Sequence, residues 1–166
     1  MVAKKLVTVV GDTGAQGGSV VDYLLKNKSK EYAIRAITRP TESAAAKALA
    51  ARGVEVVQAD LTDIAALTAA FAGSHAIFAV TNFWGLFSDS QKQFPEEKDV
   101  ALLAGRAAAI ETQMGINMVD AALTTDTLQQ YIWSTLTNAY TVSGGRIKPP
   151  HYESKAQVTR YIQSKP

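Results

Sequence analysis

The sequence predicts an α/β domain, a doubly wound parallel sheet of strand order 3-2-1-4-5. Three observations predict it. Short β-branched runs alternate with stretches of helical period over most of the chain. The first run ends in glycines spaced GxxGxxG, directly before a helical pattern. The runs are continuously apolar, as in strands covered on both faces, and strand–helix–strand links of this kind make right-handed parallel crossovers.

"LVTVV" at 6–10 is the first strand, and Val20, Val21, Leu24 and Leu25 mark a helix over 16–27. "YAIRAIT" at 32–38 is the second strand. Thr41 or Ser43 caps a helix over "AAAKALAAR", which Gly53 ends. "VEVVQ" at 54–58 is the third strand, and Thr62 is expected to cap the helix over "DIAALTAAF" that Gly73 stops. "HAIFAV" at 75–80 is the fourth strand. "QKQFPEEKDV" reads as loop around Pro95, within a long, mostly helical region from 96 to 122. The fifth strand is expected at 130–135. "SGGRIKPP" is a loop before a last helix over 151–163.

A chain of 166 residues, 47% hydrophobic and 19% charged, suits one globular domain spanning 1–166. There are no cysteines, which excludes disulfides, thiolate catalysis and cysteine-ligated metals, and no metal site is predicted. No apolar run reaches the length of a membrane span, and a cytoplasmic protein is the expectation, with the nucleus as a second compartment open to it. The net charge of +2 hides an asymmetry. Residues 86–126 carry Lys92, Lys98 and Arg106 against Asp89, Glu96, Glu97, Asp99, Glu111, Asp120 and Asp126, a net of −4. From 141 onward, Arg146, Lys148, Lys155, Arg160 and Lys165 stand against Glu153, a net of +4. Such a face is a solvated surface or attracts phosphates or an acidic partner. No groove-reading motif argues for direct nucleic-acid binding.

The glycine loop "VVGDTGAQGGSV" carries the most chemistry. Gly11 permits the turn off the strand, Gly14 lets backbone approach a pyrophosphate, and Gly17 or Gly18 lets the helix pack close. The N–H groups at the helix start then face anionic phosphates, with Thr13 adding a hydroxyl. The loop therefore predicts a dinucleotide on a Rossmann-like sheet. The second strand ends in Thr38 and Arg39 rather than an acidic residue, so a guanidinium is set to pair with a 2′-phosphate. NADP is expected ahead of NAD, with Glu42 the alternative acidic residue. Asp60 either accepts from the adenine amino group or is a turn residue.

"HYESK" at 151–155 stands one place from a Tyr-x-x-x-Lys reductase pair. His151 and Lys155 keep the four-residue spacing that puts both on one helix face, and Tyr152 is rotated from it. His151 is a different kind of acid from tyrosine. The pair is a modified proton-transfer site, a retained cofactor contact through Lys155, or an exposed helix start after Pro149 and Pro150. Ser134 closes the fifth strand at the sheet edge where site residues lie, or acts as a core or capping serine.

The segments "GDTGAQGGSV", "AITRP", "GVEVVQADLTD", "AIFAVTNFW" and "HYESKAQV" resemble the NmrA-like proteins, atypical short-chain dehydrogenases/reductases common in fungi. The resemblance implies a fold that prefers NADP. It also implies either a redox-sensing regulator with little catalysis that binds a protein partner, or an NADPH-dependent oxidoreductase or isomerase relying on lysine. Position by position it implies that Gly11, Thr13, Gly14, Gln16 and Gly17 form the phosphate loop. It places Arg39 at the 2′-phosphate and Asp60 beside adenine. Thr81, Asn82 and Phe83 fall beside the nicotinamide ribose, and Ser134, His151 and Lys155 at the reductase serine, tyrosine and lysine. Two departures stand out. "PEEKDVALLAGRAAAI", around 95–110, reads as an insert. Members also run to roughly twice this length with a C-terminal substrate domain, which is expected to be largely absent here. Apolar surface and a sheet edge left uncovered would favour a homodimer.

Overall fold

The computed structural model describes residues 3–165. Its contacts divide the chain into two compact units, one of Met1–Val80 and Asn117–Ser134, the other of Thr81–Ile116 and Thr135–Pro166.

The first unit holds a five-stranded sheet of β1 (Lys5–Val10), β2 (Tyr32–Thr38), β3 (Glu55–Gln58), β4 (Ala76–Ala79) and β5 (Gln130–Trp133). The order is β3-β2-β1-β4-β5 and every pairing is parallel, as the alternating pattern predicts. Helices α1 (Ala15–Asn27), α2 (Ala44–Ala51) and α3 (Ile64–Phe71) connect the first four strands. The two-residue period of β1 divides its side chains between two cores. Val7 and Val9 pack with Val21, Ile34, Leu49 and Val54. Val10 packs with Ile37, Leu67, Phe71, Ile77 and Met118. Burying each such aliphatic or aromatic side chain contributes about 1.5–3 kcal/mol.

The second unit is helical. It contains α4 (Phe83–Gln93), the N-terminal part of α5 (Val100–Leu123), the single turn α6 (Ala139–Val142) and α7 (Pro150–Gln163). Among the described residues no helix is long and apolar enough to cross a membrane.

Several local expectations are corrected. Helix α3 is capped by Asp63, whose carboxylate accepts from the Ala66 N–H. Thr62 does not cap it, because its N–H and hydroxyl are both turned back to the Asp60 carboxylate. Of the two possible caps on α2, Ser43 serves, accepting from the Ala46 N–H. Helices α4 and α6 are additions to the expected elements; Asn82 and Asn138 cap them. The long helix starts at Val100, later than expected, where the Asp99 carboxylate accepts from the Ala101 and Leu102 N–H groups. Strand β5 ends at Trp133, so Ser134 follows the strand. The region read as an insert is loop around Pro95 and then the first turns of α5, with the Arg106 guanidinium 3.9 Å over the Phe94 ring.

Candidate functional site

In the first unit, β1 turns into α1 within the glycine loop. Gly11 has φ +74°, a conformation open to glycine. A Cβ on Gly17 would lie 2.3 Å from the Gly11 carbonyl oxygen and 2.9 Å from the Asp12 nitrogen, so only glycine lets the helix start this close to the strand. Of the two glycines weighed for close packing, Gly17 makes the tighter approach; a Cβ on Gly18 would stand 3.2 Å from the Asp12 oxygen. The Gly14 N–H donates to the Gly11 carbonyl at 3.0 Å and closes the turn.

Gly14 is the N-cap of α1 and offers no side-chain acceptor, whereas Ser43, Asp63, Asn82 and Asn138 cap their helices. The first N–H groups of α1, on Ala15, Gln16 and Gly17, have no intrahelical acceptor and no side-chain cap among the described residues. N–H groups of this kind, together with the helix dipole, suit an anion. Thr13, Gly14, Ala15 and Gln16 are exposed there. The Ser134 hydroxyl donates to Gln16 Oε1 at 2.5 Å, joining two residues 118 apart in sequence.

Arg39 follows β2, is exposed and makes no ion pair among the described residues. Its charge helps hold the Asp60 carboxyl below the usual range, after the larger effect of the Thr62 hydrogen bonds. Asp60 accepts from Thr62 N–H at 2.8 Å and from Thr62 Oγ1 at 2.6 Å, the turn role. Glu42, the alternative acidic residue, pairs with Lys47 at 3.1 Å.

The second unit gathers Thr81, Glu111, Ser154 and Lys155 in a buried network. The Lys155 ammonium donates to the Thr81 carbonyl at 3.0 Å and to Thr81 Oγ1 at 2.9 Å, and lies 3.2 Å from Glu111 Oε1. Thr81 Oγ1 donates to Glu111 Oε1 at 2.7 Å, and Ser154 Oγ donates to Glu111 Oε2. The ammonium thus has two hydrogen-bond acceptors on Thr81 and a counter-charge on Glu111. Burial holds the Lys155 ammonium below its ordinary range, with the Glu111 charge opposing that shift. Asn82 accepts from the Gly85 N–H as the α4 cap. Phe83 is buried against Trp84, Phe87 and His151. The His151 ring sits 5.1 Å from Trp84 and 4.9 Å from Tyr152, packed among aromatic faces.

A model of the NmrA-like family matches residues 3–166. The chain belongs to the NmrA-like family. It is 36% identical over 158 residues to the NmrA-like family domain-containing oxidoreductase notA of Aspergillus sp. (strain MF297-2), a match covering 95% of this chain and 42% of that protein. The chain thus spans about two fifths of the length of the curated relatives it matches. Among solved structures it is similar to the negative transcriptional regulator NmrA in complex with NADP, with TM-score 0.70, 21% identity and coverage of 97% of this chain and 42% of that one. The same regulator in complex with NAD gives TM-score 0.71 at 23% identity, covering 98% and 43%. Triphenylmethane reductase of Citrobacter sp., complexed with NADP(H), gives 0.65 at 23%, covering 95% and 45%. These likenesses show the fold.

One residue of this NmrA-like chain is not singled out by its sequence. Glu111 is fully buried, and its carboxylate links Thr81, Ser154 and Lys155. The available signal is its place in a stripe. Leu103, Ala107, Glu111 and Gly115 recur every fourth residue on α5 and are all buried. A charge on such a stripe requires a buried partner.

Proposed function

We propose that this NmrA-like chain binds NADP(H) through its glycine loop and acts as a redox-sensing or regulatory binder with little catalysis of its own. The observation that carries the reading is the loop: a Gly17 that admits no Cβ and an α1 N-terminus left without a side-chain cap. The pyrophosphate belongs at the free N–H groups of Ala15, Gln16 and Gly17, with Thr13 and Gly14 alongside. Arg39, exposed and without an ion pair among the described residues, supplies the 2′-phosphate contact that favours NADP. The fit supports the NADP complexes of the structural neighbours as a guide to this chain.

The second unit favours binding over turnover. The tyrosine of a reductase pair is replaced by His151, and the Lys155 ammonium is committed to Thr81 and Glu111. A regulatory role implies a protein partner or a second copy, and exposed Ile132 on edge strand β5 is an apolar contact for either. The reading places the protein in the cytoplasm or nucleus.

A second reading, an NADPH-dependent oxidoreductase or isomerase, is favoured by one observation: burial lowers the proton affinity of Lys155, as in lysines that move protons. The relatives' oxidoreductase names point the same way. Steady-state NADPH consumption by the 166-residue chain with a panel of carbonyl substrates separates the two. The regulatory reading expects none above background. Turnover that Lys155→Ala abolishes, while the variant stays folded, would establish the oxidoreductase reading instead.

A further inference from the structure

Asp12, directly after Gly11, is the one acidic residue of the glycine loop. It is 3% exposed, and its Oδ2 has no hydrogen-bond partner among the described residues. Its backbone is pinned against the first turn of α1. Its nitrogen stands 2.9 Å from where a Gly17 Cβ would lie, and its oxygen 3.2 Å from a Gly18 Cβ. An acidic group is therefore locked into the loop whose open N–H groups suit an anion.

Among the described residues no cation offsets it. The titratable residues on the elements of this unit that pack around β1 and the loop are Lys5 on β1, Tyr32 and Arg35 on β2, Asp22, Tyr23 and Lys26 on α1, Asp120 on the C-terminal part of α5, and Tyr131 on β5; β4 carries none. Arg35 on β2 is turned to Glu55 and to the Ala70 and Ala72 carbonyls. None of these groups makes an ion pair or a side-chain hydrogen bond with the Asp12 carboxyl among the described residues. Burial raises it above the ordinary carboxylate range, and its own backbone amide partly opposes that rise.

We propose that Asp12 is a proton-linked ligand-binding residue of the loop: the dinucleotide pyrophosphate binds the form in which Asp12 is neutral, so that binding takes up a proton. The inference rests on the proposed dinucleotide binding. A carboxylate and a pyrophosphate at one helix terminus repel each other, and neutralising the carboxyl removes that repulsion at the smallest structural change. Affinity then falls as pH rises between the Asp12 proton affinities of the free and the occupied chain, by up to about tenfold per pH unit.

The test is calorimetric titration of the whole chain with NADH and with NADPH across the acidic to neutral range, in two buffers of different ionisation enthalpy. NADH is the deciding ligand, because it lacks the 2′-phosphate that titrates in the same range. The expected result is net proton uptake with NADH and an affinity that weakens with rising pH. Asp12→Asn should bind NADH more tightly with no pH slope. A flat NADH profile in the wild type, or a slope that survives in folded Asp12→Asn, would overturn the proposal. If the variant fails to fold, the wild-type slope and proton count decide. Binding without a slope overturns this inference alone, whereas absence of binding by either dinucleotide overturns the underlying reading with it.

Discussion

The glycine loop in the first unit and the Lys155 network in the other are both, in sequence, short motifs of reductase type. They differ in what their polar groups have left to do. In the loop, three helix N–H groups have neither an intrahelical acceptor nor a side-chain cap among the described residues, because the N-cap is Gly14. In the network, the Lys155 ammonium and both carboxylate oxygens of Glu111 have partners inside the unit. A site that binds keeps hydrogen-bonding capacity in reserve, and a site that stabilises has used it. The contrast favours binding by the loop and structural work by the network.

The contrast breaks first, and by the largest margin, at Glu111. Glu111→Ala leaves Lys155 buried without its counter-charge and should destabilise by about 3–5 kcal/mol in urea unfolding. Glu111→Leu combined with Lys155→Met should recover most of that loss, since replacing a whole buried pair by apolar side chains is often close to neutral. A double variant as unstable as Glu111→Ala would mean that the network does more than neutralise its own charges. Next comes Gly17→Val. Its Cβ would meet the Gly11 carbonyl at 2.3 Å, and the strain should cost about 1–3 kcal/mol, visible as a lower Tm together with lost dinucleotide binding.

Arg39→Ala sharpens the comparison from the loop side. Losing a charge-assisted contact of about 1.5–3 kcal/mol should weaken NADPH binding by roughly one to two orders of magnitude and leave NADH binding unchanged. Equal losses for both ligands would remove Arg39 from the 2′-phosphate. The stability of Asp12→Asn supplies a pH test. The folded-state proton affinity of Asp12 is raised above the ordinary aspartate value of 3.8, so its cost is absent below that value and fully present above the folded pKa. The variant should therefore be more stable than the wild type near neutrality, and the difference should close as pH falls to the ordinary carboxylate range. His151→Ala should have the smallest effect, with NADPH affinity changing by less than about twofold, because the ring contacts are local to its own unit.

What is legible in the sequence follows the same physics. The sheet order and the glycine loop can be read because β-branched runs and glycine spacings report backbone constraints directly. The α3 cap lies one residue from its expected place because Thr62 and Asp63 are both competent caps. The choice between them is made by Asp60, which takes the Thr62 hydroxyl and N–H. Helix α4 is hidden because "FWGLFSDSQKQ" contains a glycine and bulky aromatics and runs into Pro95, while its cap, Asn82, falls where a ribose contact is expected. Glu111 is easily passed over as a site residue because a lone glutamate on an alanine-rich helix reads as solvated, and only its place in the stripe of Leu103, Ala107 and Gly115 marks it. Its burial depends on Thr81, 30 residues away, and Ser154, 43 residues away.

The measurement that bears most directly on the account is a fluorescence or calorimetric titration of the wild-type chain with NADP, NADPH, NAD and NADH. The account predicts saturable binding at one site, with the phosphorylated pair binding more tightly than the unphosphorylated pair. Binding of none of the four by folded protein would contradict it.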